Sequence, residues 1–167
     1  RHCERAWSTL MFFHEYQGAD GAHSNDFETL GIFGKERNRK GSELKIMGAI
    51  ETKIPGYFTN GRTDSVSHED FGTDLLAMSR EQLAFAFGKE GSTRKKLAAA
   101  AHCILEYIGQ FAFIAGTRRE RKLGRDYLRW LISQRTGDVM IQDISTRDDL
   151  TAIAIPPQLM GVASGFR

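Results

Sequence analysis

Leu83-Ala84-Phe85-Ala86-Phe87-Gly88-Lys89-Glu90-Gly91-Ser92-Thr93-Arg94-Lys95-Lys96-Leu97 is the stretch on which the fold turns. An apolar run closes on Gly88, two charged residues follow, and Gly91 opens onto a basic, alanine-rich segment. Residues 92–103 hold good helix formers, with Ser92 or Thr93 expected to cap the start. A short loop with glycine at each end, leading into a helix N-terminus, lets an anion approach closely. Glycine places no Cβ in the way, and the free N–H groups and helix dipole favour negative charge.

Working outward, residues 75–78 (Leu-Leu-Ala-Met) read as a short apolar strand and residues 80–87 as a short helix. Downstream, residues 104–108 and 111–115 are two β-rich runs flanking Gly109-Gln110, the signature of a hairpin. Thr117-Arg118-Arg119-Glu120 has the form of a capping box. Leu123, Tyr127, Trp130 and Leu131 then recur at helical steps, so Leu123, Tyr127 and Leu131 are expected to face the sheet. This helix should run to about Gln134 and stop near Gly137. The order is strand, helix, glycine loop, helix, strand, strand, helix, which predicts an α+β fold.

A length of 167 residues suits one medium domain or two small ones, and 41% hydrophobic with 26% charged residues describes a globular chain. No apolar run approaches the roughly 18 residues of a membrane-spanning helix. Cys3 and Cys103 supply neither a disulfide framework nor zinc spacing, which predicts a reducing, intracellular setting, cytoplasmic or nuclear. The chain begins at Arg1 without an initiator Met, so a leader cannot be judged. Net charge is only +2, yet residues 88–135 hold eleven Lys/Arg against four acids, leaving the remainder net negative. That asymmetry points to a polyanionic partner. The competing explanation is solvated helix faces, above all for residues 118–122.

The strand and helix order, with Phe87-Gly88-Lys89-Glu90-Gly91 between the first two helices and Leu97 at the second apolar step, resembles the type I K-homology (KH) domain. The resemblance covers residues 74–137. It implies a three-stranded antiparallel sheet with three helices on one face, and single-stranded nucleic acid, most simply RNA, in a groove beside the Gly-x-x-Gly loop. Carried over residue by residue, Gly88, Lys89, Glu90 and Gly91 would meet phosphates, with Arg94 and Lys95 beside them. Phe85, Ala98, Ala101, Ile104 and Leu105 would form the apolar platform for bases, although Phe85, Ala98 and Leu105 read equally as plain core. Arg94 stands where the family usually has an aliphatic residue, and Glu90 sets an acid inside a phosphate-binding loop. The other reading is a KH-like protein-interaction scaffold that has lost its nucleic acid, favoured by Glu90 and by Tyr107, Phe111 and Phe113.

A shift of 77 residues lays residues 75–78 on 152–155, residues 83–86 on 160–163, and Gly88 on Gly165. The chain therefore divides into an N-terminal extension (1–73), the KH-like unit (74–137), a connector (138–149) and the opening of a second repeat (150–167). On this reading it is a piece of a tandem-KH protein, with neighbouring repeats among its partners. The extension is loop-rich: residues 10–13 are an apolar run, 17–27 a loop, 42–52 a short helix with Leu44, Met47 and Ile50 near one face, and 59–73 a linker or excursion. Lys35, Arg37, Arg39, Lys40 and Lys45 form a second basic cluster, and Gly34-Lys35 lacks the P-loop context.

Nothing here reads as an enzyme. The five histidines have no metal-ligand spacing, and no nucleophile elbow, Walker loop or dinucleotide fingerprint is present, so no cofactor or metal is expected. His102-Cys103 reads as helix-end filler.

Overall fold

The computed structural model describes residues 9–13, 29–136, 151, 153 and 155–163. The chain divides into two compact units, residues 1–129 and 130–167. In the first, β1 (Thr9–Phe13) pairs antiparallel with β2 (Thr29–Phe33), and α1 (Glu36–Lys53) follows. Then come β3 (Phe71–Ala77), α2 (Arg80–Phe87), a 3-10 turn (Lys89–Gly91), α3 (Ser92–Ala100), β4 (Ile104–Ile108), β5 (Phe111–Thr117) and α4 (Arg118–Thr136), whose last residues enter the second unit. The second unit adds a 3-10 turn (Pro157–Leu159) and α5 (Met160–Ala163).

The fold is α+β, built on a three-stranded antiparallel sheet in the order β3–β5–β4. Central β5 is buried along nearly its whole length. Its apolar residues are continuous because both faces are covered, and only a polar-free run suits such a strand. Phe111, Phe113 and Ala115 point to one face, with Leu75 and Ile108, and meet Leu44 and Met47 of α1. Ile114 points to the other face, where Gly124 of α4 packs so closely that a Cβ would lie 2.9 Å from Ile114 and 2.8 Å from the Cys103 sulfur. Fully burying side chains such as Phe113, Ile114 and Leu128 stabilises the fold by about 1.5–3 kcal/mol each.

Local signals explain the ends of these elements. Ser79 and Gln82 form a complete capping box at α2. Thr117 and Glu120 form the expected one at α4, with bonds of 2.8 and 3.4 Å. The β4–β5 hairpin turns through Gly109, whose φ is 57°.

Several expectations are corrected. Helix α1 starts at Glu36 rather than residue 42, and the extension is not merely loop-rich, since α1 covers the sheet face opposite α4. Strand β3 starts at Phe71, so a boundary at residue 74 falls inside it. Ser92 and Thr93 are the first helical residues of α3, whose N-cap is Gly91 with no side-chain cap. The buried positions of α4 in the first unit are Arg121, Gly124 and Leu128, while Leu123 and Tyr127 are half-buried.

Arg121 explains that last shift. It is 1% exposed, and its Nε donates to Asp74 Oδ1 at 2.8 Å. Its other N–H groups donate to the carbonyls of Asp70, Gly116, Ser67 and Glu69, which satisfies all five donors. Arg125 takes the second Asp74 oxygen at 2.9 Å. Residues 59–73 are therefore not a free linker, since Arg121 and a Ser65–Leu75 bridge tie them to the sheet. Residue 137, the whole connector (138–149) and, of the proposed second repeat, residues 150, 152, 154 and 164–167 lie outside the described residues. Thr151, Ile153 and Ile155 are not in a strand. The loop expected at residues 17–27 also lies outside the described residues.

Candidate nucleic-acid interface

The glycine loop has the backbone its sequence requires. Gly88 (φ 69°), Glu90 (φ 53°) and Gly91 (φ 72°) all occupy the left-handed half of conformational space. A Cβ on Gly88 would lie 2.1 Å from Thr93 Oγ1, and one on Gly91 would meet the Phe87 ring at 3.3 Å. Both glycines are thus fixed by contact as well as by dihedral. Lys89 and Glu90 are exposed at the tip. Gly91 N–H closes the turn on the Gly88 carbonyl at 3.2 Å, and α3 begins without a side chain capping its first turn.

Beside the loop lies a groove of about 330 Å³ whose floor is the free edge of the sheet, residues 103–106 leading into and along β4. Arg94, Lys95 and Ala98 of α3 form one wall; Arg37, Asn38, Gly41 and Lys45 of α1 form the other. The two walls come from helices on opposite faces of the sheet, so β4 runs between them. At Gly41 α1 comes close to β4: a Cβ there would sit in ordinary contact, 3.8 Å from Ile104 Cδ1.

Of the residues expected at the site, Arg94, Lys95, Ala98, Ile104 and Leu105 line the groove, whereas the loop residues 88–91 lie outside its lining and meet it through Lys95, whose Nζ donates to the Glu90 carbonyl at 3.5 Å. Ala101 and Leu105 are 0% and 1% exposed, so their side chains are core and only the Leu105 backbone faces the groove. Phe85 is exposed on α2, outside the lining. Phe111 and Phe113, two of the aromatics that favour the scaffold alternative, are buried in the core shared with α1.

Arg94 is the unexpected member. From α3 its guanidinium reaches over the edge strand, donating to the Leu105 carbonyl at 2.7 Å and pairing with Glu106 at 2.8 Å. Its Nε is buried without a partner. A charged strap across an edge strand blocks unwanted strand pairing. Arg37, on the opposite wall, donates to the His102 carbonyl and to Glu120. Burial raises the Glu120 pKa, but the Thr117 N–H and the Arg37 guanidinium outweigh it, so the carboxyl titrates below its ordinary value.

The α1 wall was missed as part of the site, although the second basic cluster was visible. The available signal was the unbroken apolar run of β5, which demands cover on both faces.

Burial pushes the Cys103 thiol up to about 11, which keeps it protonated near neutral pH. Among the described residues no cluster of His, Cys, Asp and Glu could hold a metal, and no helix is long and apolar enough to cross a membrane. A second cavity of about 460 Å³ between α1 and β3 mixes Glu36, Glu43 and Glu69 with Arg39 and Lys40, and so has no single charge to offer a ligand. The chain matches no known family model and no curated protein.

Proposed function

We propose that residues 71–136 form a type I KH domain and that the protein binds single-stranded RNA along the β4 edge, with phosphates at residues 88–91. The observation that carries this reading is the conjunction of strand order β3–β5–β4 with a left-handed Gly-x-x-Gly loop joining α2 to α3. The groove beside that loop has four cations, Arg37, Lys45, Arg94 and Lys95, against one acid, Glu106. RNA is recognised mostly through unpaired bases, and a sheet edge offers backbone groups to their hydrogen-bonding edges. The scaffold reading draws on two observations: Glu90 at the loop tip, and the Arg94 strap occupying the Leu105 carbonyl.

The test replaces Lys89 and Glu90 together by aspartate. Each charge-assisted phosphate contact is worth about 1.5–3 kcal/mol, so affinity for a short single-stranded RNA should fall at least about tenfold. Both side chains are exposed, so stability should move by only about 0.5 kcal/mol. Parallel titration with the matching DNA oligonucleotide separates RNA from DNA selectivity. A wild-type chain that shows no saturable binding at low salt would leave the scaffold reading standing.

A further inference from the structure

Helix α1 lies outside the strand–helix–helix–strand–strand–helix unit, yet it supplies a whole wall of the groove. Arg37, Asn38, Gly41 and Lys45 fall at steps that place them along one stripe. Arg37 and Lys45 are eight residues apart, a rise of about 12 Å at 1.5 Å per residue, so the stripe runs well beyond a single contact.

The charges on the two walls are not equally committed. Arg94 is paired with Glu106, and Arg37 with Glu120. Lys95 reaches only the Glu90 carbonyl, at 3.5 Å, and Lys45 has no ionic partner among the described residues. One available ammonium therefore remains on each wall, Lys95 on α3 and Lys45 on α1, and both line the same groove. A neutral or cationic peptide has no use for that arrangement, whereas a polyanionic strand lying in the groove would be neutralised from both sides.

From this we infer that α1 is the second jaw of the binding channel: Lys45 holds a phosphate of the bound strand on the side opposite the glycine loop. This inference rests on the RNA-binding reading above. The extension thus enlarges the site as well as covering the second face of the sheet.

The test is Lys45→Glu in the full chain, titrated with a fluorescent single-stranded uridine oligonucleotide over a series of salt concentrations. The Lys89/Glu90 double aspartate and the wild type are run beside it. Lys45→Glu should weaken binding about tenfold, and Lys45→Gln by less. The slope of log affinity on log salt should become shallower by about 0.7, one phosphate contact on a single strand. Melting curves should match the wild type, since Lys45 is partly exposed. If wild type binds, the loop variant fails, and Lys45→Glu keeps wild-type affinity and salt slope, the second jaw is refuted while the RNA reading survives. If wild type shows no saturable binding, both fall together. Should Lys45→Glu melt early, Lys45→Gln carries the comparison alone, and an unchanged slope in that variant refutes the jaw.

Discussion

Two arginines, placed on opposite sides of the same unit, have opposite surroundings. Arg121 lies beneath α4 with every N–H satisfied and Asp74 against it, almost wholly out of contact with water. Arg94 lies across the β4 edge, one fifth exposed, with a single carbonyl, a single carboxylate and an unpartnered Nε. The first is part of the framework and the second is part of a surface. Counting basic residues in sequence treats them alike, which is why a run of positive charge overstates what a ligand can reach. Arg121 and Arg125 are consumed by Asp74, whereas Lys45, Lys89 and Lys95 remain outside any ion pair among the described residues.

The largest effect expected from this contrast is at Arg121. Arg121→Met removes one partner of a buried pair and strands Asp74 and several carbonyls. Breaking such a pair by removing one side costs about 3–5 kcal/mol, although Arg125 remains to compensate part of the Asp74 charge. Urea unfolding of the variant should show a large drop in midpoint. A loss under about 1 kcal/mol would mean that the arginine is framework in position only.

Next in size is the glycine loop. At φ 69°, with a Cβ 2.1 Å from Thr93 Oγ1, Gly88→Ala combines an unfavourable backbone with a clash. Strain of this kind costs about 1–3 kcal/mol. Combining the substitution with Thr93→Ala removes the nearest clash and should recover part of the loss, leaving the backbone strain and the 2.8 Å approach to Thr93 Cβ. No recovery in thermal melts would show that the hydroxyl contributes nothing to the cost.

A third buried charge sharpens the comparison because it has no ionic partner among the described residues. Glu51, at 5% exposure near the end of α1, accepts from the Gly56 and Phe58 N–H groups at 2.7 and 2.8 Å and from Thr59 Oγ1. Burial alone raises its pKa. The Thr59 hydroxyl and the Phe58 and Gly56 N–H groups outweigh that, and the net pKa lies below the ordinary 4.5. A carboxyl depressed on folding contributes stability above its unfolded pKa and loses it as pH falls through the folded value. The stability gap between wild type and Glu51→Gln should therefore be widest at neutral pH and narrow progressively below pH 4.5. A gap that stays constant down to acid pH would show that shape, not charge, holds the 56–59 loop.

The local features of the fold were legible because their causes are local. The Gly109 turn, the Thr117–Glu120 capping box and the spacing of the glycine loop rest on residues within a few positions of each other, and the Ser79–Gln82 box, just as local, was overlooked. Features set by distant partners were not. Arg121 reads as a solvent residue until Asp74, 47 positions earlier, is known to lie beside it. The face of α4 was misjudged for that reason alone. The stripe of α1 was half-legible: Leu44 and Met47 are buried as expected, but Gly41, Ser42 and Glu51 complete it, and none of these is a hydrophobic signal. At the site, residues 88–91 were readable from the glycine spacing. The opposite wall was not: the apolar run of β5 demands cover on both faces, but it does not say that α1 supplies it or that α1 and α3 flank the same strand.

The smallest expected effect is the one that tests the contrast most directly. Arg94→Leu places an aliphatic side chain where the guanidinium stem is packed and its Nε unpartnered. The change removes one hydrogen bond to the Leu105 carbonyl and one ion pair to Glu106, both at a partly solvated edge. A pair of this exposure is worth about 0–1 kcal/mol, and the lost carbonyl contact about as much. Two gains oppose these losses: the buried Nε–H disappears, and leucine is a good helix former at a position inside α3. Water can reach Glu106 once the strap is gone, so no carboxylate is left stranded as Asp74 would be. The net change in stability should therefore stay within about 1 kcal/mol, several times smaller than at Arg121, and a double-mutant cycle with Glu106→Gln should give a coupling no larger than that. A coupling near the Arg121 value would mean that the edge strap belongs to the framework, and that the groove it crosses does not open to a ligand.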